Sequence, residues 1–70
     1  SLFMVSVSST SLSTDEAAIV DHAADLLKLT HLSMNDQLTI EHAIGLIAIT
    51  RNCTRHRAAQ LLNKRAFPDN

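Results

Sequence analysis

Between residues 43 and 49 there is almost no polar surface. Ile40, Ala43, Ile44 and Ile47 recur at helical spacing, and Leu46 and Ile49 widen that stripe. A helix that is apolar nearly all round has to be covered on more than one side. In a chain of 70 residues the cover must come from two further helices or from a second subunit. The rest of the composition agrees with helices. The sequence is 46% hydrophobic but only 3% aromatic, with one glycine and one proline, and its apolar share comes mainly from Ala, Leu, Ile and Val. Small and mid-sized aliphatics of this kind pack helix against helix more readily than they build a sheet.

The helix limits follow from capping chemistry. Ser13 with Glu16 three residues on has the form of a capping box, and Asp15 and Glu16 suit the positive end of a helix dipole. Ile19, Val20, Ala23, Leu26 and Leu27 then repeat at helical spacing, which predicts a first helix over residues 15–31. From Thr30 to Asp36 two outcomes stand open: a short turn with Ser33 as a new cap, or a bent continuation. A second helix is expected over residues 35–51, with Asn52 closing it. Thr54 is placed to cap a third over residues 55–66, whose face carries Ala58, Leu61, Leu62 and Ala66, with Pro68 behind it. The expected fold is all-α, a small three-helix bundle with a coiled-coil-like first helix. The helical domain is assigned to residues 14–67. Residues 1–13, with six serines and Thr10, read as a disordered tail or the remnant of a preceding domain, and 68–70 as the C-terminal end.

Charge divides the chain. The net charge of −1 conceals six acids and one base in residues 1–50, and five bases (Arg51, Arg55, Arg57, Lys64, Arg65) with one acid in residues 51–70. Arg55 and Arg57 fall in the first turn of the third helix, where the macrodipole disfavours each cation by about 0.3–1 kcal/mol. An anionic partner would offset that penalty, and the phosphates of a nucleic acid suit a helix N-terminus. The competing account is an ordinary solvated face, or docking onto the acids of the first helix.

Catalytic and metal chemistry find little support in the residues. His22, His31, His42 and His56 lack the spacing of a helical metal pair, and no HExxH-type motif occurs. Cys53 and His56 lie three apart without an orienting third group or a glycine-rich oxyanion turn, so neither an enzyme activity nor a cofactor is expected. One cysteine permits no internal disulfide, which points to a reducing, cytoplasmic setting. No apolar run approaches the roughly 20 residues of a membrane span, so no membrane partner is expected.

The run Ile40-Glu41-His42-Ala43-Ile44-Gly45-Leu46-Ile47, then Cys53-Thr54, then Ala58-Ala59-Gln60-Leu61-Leu62, resembles the ANTAR domain. This is the RNA-binding antitermination module of bacterial response regulators and GAF-domain sensors. The resemblance covers about residues 30–66 and rests on Ile40, Ala43, Gly45, Thr54, Ala58, Leu61 and Leu62. It implies a regulator of transcription antitermination that binds structured leader RNA as a homodimer, the first helix and the start of the second pairing with a second copy. It further implies Arg51, Arg55, Arg57, Lys64 and Arg65 as phosphate contacts and a possible upstream sensor domain. Three departures stand out. Gln37 replaces the usual Arg, Arg55 and Arg57 occupy positions where members commonly carry acids, and the family's final helix would begin near Asn70, which implies a C-terminally shortened version. Independently of the family, Gly45 within a helix costs about 1 kcal/mol relative to alanine, which predicts close approach of another helix backbone there. Two other functions fit the residues: a DNA-binding helix-turn-helix with the third helix as reader, and a dimerisation or protein-interaction module using the second helix.

Overall fold

A computed structural model describes residues 13–69, so the Ser-rich segment 1–12 and Asn70 lie outside the described residues. Within them the chain forms three helices: α1 (Thr14–Leu26), α2 (Met34–Arg51) and α3 (Arg55–Ala66). Each packs against the other two, giving an all-α three-helix bundle.

α1 starts on the expected capping box. The Glu16 amide donates to Ser13 Oγ at 3.2 Å, and the Ser13 amide donates to Glu16 Oε1 at 2.9 Å. The helix stops at Leu26, five residues before the periodicity suggested. Its end tightens: the Lys28 amide donates to the Asp25 carbonyl and the Leu29 amide to the Leu26 carbonyl, both three residues back. Ser33 then begins α2. Its hydroxyl accepts from the Asp36 amide at 3.0 Å, and Asp36 Oδ2 accepts from the Ser33 amide at 3.2 Å. That second capping box satisfies donors that a continuous helix would have satisfied differently, so of the two open outcomes the turn is the one adopted. Leu32, half-buried, ties the connection to the core.

α2 ends in a Schellman arrangement. Asn52 is left-handed (φ 53°, ψ 53°), the Cys53 amide donates to the Ala48 carbonyl at 3.0 Å, and the Asn52 amide reaches the Ile49 carbonyl at 3.4 Å. Asparagine tolerates that conformation better than most residues with a side chain. Thr54 Oγ1 then accepts from the Arg57 amide at 3.1 Å to open α3. The α2–α3 turn is therefore only residues 52–54, and its first and last residues both cap helices. Phe67 closes α3 through its amide to the Asn63 carbonyl at 2.9 Å, and Pro68 prevents another turn.

The core is aliphatic: Val20, Ala23, Ala24 and Leu26 from α1; Ile40, Ala43, Ile44 and Ile47 from α2; Ala58, Leu62 and Ala66 from α3. Each helix contributes one alanine of zero exposure, Ala23, Ala43 and Ala58. Small side chains at these positions let the helix axes approach closely. Leu62 is the largest fully buried side chain.

α2 packs against both other helices, as its apolar sequence requires. The cover is incomplete at its outer edge: Ile49 is 73% exposed, and Met34 (72%) and Leu38 (60%) also face solvent. One expectation for α2 is corrected here: Gly45 is not at a helix crossing. A Cβ built there would find Arg55 Nη1 nearest, at 3.4 Å, and no helix backbone.

Candidate nucleic-acid interface

All five candidate cations are exposed, but the fold gives them different settings. Arg55, the first residue of α3, turns back onto α2. Its Nη2 pairs with Glu41 Oε1 and lies 3.5 Å from the Glu41 carbonyl. Its Nη1 rests beside Gly45, whose missing side chain leaves that path open. Glu41 thus supplies, across the helix pair, the carboxylate that the first turn of α3 lacks. Arg65, near the other end of α3, reaches α1: Nε donates to Asp21 Oδ1 at 2.8 Å, and Nη2 pairs with the same oxygen. Both pairs are more than half exposed, so each contributes at most about 1 kcal/mol. They fasten α3 at one end to α2 and at the other to α1.

Arg57 and Lys64 lie seven residues apart on the outer face of α3, turned away from Ala58, Leu62 and Ala66. Gln60 stands between them. Arg57 Nη1 donates to Gln60 Oε1 at 3.4 Å, and Gln60 Nε2 lies 3.4 Å from His56 Nε2. Arg57, Gln60, Leu61, Asn63 and Lys64 together line an open depression along this face. It combines two cations with two amides that both donate and accept, over the apolar side of a half-buried leucine. Arg51 is exposed in the last turn of α2, where a cation is favoured by the dipole.

The five cations therefore do not form one patch. Arg57 and Lys64 share a face, Arg55 and Arg65 bind acids of the neighbouring helices, and Arg51 lies at the end of α2. Gln60 and Asn63 belong to the outer face although charge alone does not single them out. Gln60 had a local signal, since it lies three residues after Arg57 and four before Lys64. The motif positions are scaffold. Ile40, Ala43, Ala58 and Leu62 are buried, Leu61 is half-buried, and Thr54 is the α3 cap.

Among the described residues there is no buried polar or charged side chain and no group of three or more histidine, cysteine or acidic residues placed to hold a metal. Cys53 is half-buried in the α2–α3 turn. No helix among the described residues is long and apolar enough to cross a membrane. Comparison with protein families, curated proteins and solved structures finds no match to this chain.

Proposed function

We propose that this bundle binds structured RNA through the outer face of α3, as an ANTAR-like module of a bacterial, cytoplasmic regulator of transcription antitermination. No catalysis is part of this reading, and an upstream sensor domain would supply the signal. The observation that carries it is the alignment of Arg57, Gln60, Asn63 and Lys64 along one exposed helix face. Cations at that spacing meet phosphates, while amides reach base edges or sugar hydroxyls in an unstacked loop. Six of the seven acids lie in the first two helices, and two of them, Asp21 and Glu41, are paired to Arg65 and Arg55. Arg51, Arg55 and Arg65 then act at longer range, by strengthening the positive field of the C-terminal third.

Titration of a labelled stem-loop RNA at low salt tests the proposal, with duplex DNA of equal length as competitor. Affinity should fall steeply as salt rises. Arg57→Ala and Lys64→Ala should each flatten the log–log slope by about one unit. The three-residue turn between α2 and α3 also suits a helix-turn-helix, so preference for the duplex would replace the RNA reading with that one. Absence of binding to either at low salt would end both.

A further inference from the structure

His56 also belongs to the outer face of α3. It is exposed, one residue before Arg57 and four before Gln60. Three polar side chains stand in a row there: Arg57 Nη1 donates to Gln60 Oε1, and Gln60 Nε2 lies 3.4 Å from His56 Nε2. That row fixes a protonation state. A guanidinium has donors and no acceptor, so the Gln60 oxygen faces Arg57 and its NH2 faces His56. An amide NH2 can only donate. His56 Nε2 therefore accepts, and the imidazole in this arrangement is neutral, with its proton on Nδ1.

A second proton on the ring disrupts the row. Nε2 becomes a donor, and Gln60 stands between two donors with one oxygen that cannot face both. Whether the amide keeps Arg57 or turns over to His56, one cationic donor is released to the outside of α3. A phosphate oxygen is a strong acceptor for it there. The bundle offers no substitute. Among the described residues Gln60 is the only polar group in hydrogen-bonding range of His56. No carboxylate of α1 or α2 pairs with His56, since Asp21 and Glu41 hold Arg65 and Arg55, and Asp25 holds Lys28. The charged residues flanking it are cations, Arg55 and Arg57 on α3, with Arg51 at the end of α2 across the turn.

We propose that RNA binding at this face is coupled to proton uptake by His56, which is neutral and tied to Gln60 in the free bundle, and charged against a phosphate in the complex. The inference rests on the RNA reading above and adds its regulation. The sign follows from linkage. A complex that holds one proton more than the free protein gains affinity as pH falls and loses it as pH rises, by at most about one decade per pH unit. The effect belongs between about pH 8 and pH 5, where imidazoles change charge.

Titration of stem-loop RNA with the full chain at pH 8 and pH 5.5, each over a range of salt, tests the coupling. Affinity should be about threefold or more higher at pH 5.5, and the log–log salt slope steeper by about one unit. His56→Gln, whose amide oxygen can accept from Gln60 at every pH, should lose most of that difference. His42→Gln, an exposed histidine of α2, should keep it. In the free protein, the Gln60 side-chain amide resonances should shift with the titration of the His56 ring, which an imidazole that only adds charge would not cause. Binding whose pH dependence survives in His56→Gln overturns this proposal and leaves the RNA reading standing. A Gln60 amide indifferent to the His56 titration overturns the relay on which the proposal is built. Absence of RNA binding at both pH values overturns the proposal and the RNA reading together.

Discussion

Replacing Gly45 by alanine separates two reasons for a glycine inside α2. If the residue were there to admit another helix, a methyl group would meet backbone, and the bundle would lose stability. In this structure the added Cβ meets only Arg55 Nη1, at 3.4 Å, an ordinary contact with the tip of a side chain that can move. The methyl is accommodated, and the helix-propensity difference remains, about 0.8–1 kcal/mol in favour of alanine. Part of that arises from the narrower unfolded ensemble of alanine. Displacing the Arg55–Glu41 pair would offset part of the gain, but that pair is exposed and contributes at most about 1 kcal/mol. The expected result is a gain of roughly 0.5–1 kcal/mol. For a domain of this size that raises Tm by about 2–8 °C. Thermal and urea melts followed by helical circular dichroism, at concentrations where the monomer dominates, measure it. An unchanged or lowered Tm would refute the reasoning and return Gly45 to the role of a packing notch.

Leu62→Ala should lower stability by about 2–5 kcal/mol, because it empties the largest fully buried side chain of the core, and in so short a chain that is enough to abolish a cooperative urea transition. Ser33→Ala removes the hydroxyl that opens α2 and should cost about 1 kcal/mol in the same melts, with Ser13→Ala similar for α1. In a double-mutant cycle, Asp21→Asn and Arg65→Gln should show a coupling no larger than about 1 kcal/mol that fades in high salt; a larger, salt-resistant coupling would mean that the pair is better shielded than its exposure indicates.

Most of the fold was legible because its decisive signals are local. The Ser13–Glu16 box, Thr54 as cap, Asn52 as helix end and Pro68 beyond the last turn act within a few residues, and they set four of the six helix ends to within a residue or so, while the start of α2 stood open between a turn and a bend. The end of α1 was not legible. Leu27, Lys28 and Leu29 are good helix formers and continue the apolar period, so local propensity favours further turns. What stops the helix is the need for α2 to fold back against it, together with a Ser33–Asp36 box strong enough to start the next one. The exposure of Ile49 was hidden for a related reason. Hydropathy counts apolar residues around α2, but only packing decides which of them α1 and α3 cover.

The same distinction governs the charged face. Charge asymmetry singled out the last third of the chain without sorting its members, because the partners that sort them are 14 and 44 residues away in sequence. Arg55 and Arg65 hold α3 by its two ends, one to each neighbouring helix. Because both anchors lie on the sides of α3 that meet the bundle, they leave the opposite face turned outward, and Arg57, Gln60 and Lys64 all fall on it. Neutralising an anchor and neutralising an outer cation should therefore act differently on binding. Arg65→Gln leaves the outer face intact and, if α3 keeps its orientation, reduces RNA affinity only through the loss of one distant charge. On the proposed RNA reading, Arg57→Gln would remove a direct phosphate contact, together with the donor that positions Gln60. Comparing the two at matched net charge separates contact from field: equal losses of affinity would mean that the bundle attracts RNA as a diffuse cation, and that its outer face has no particular part in recognition.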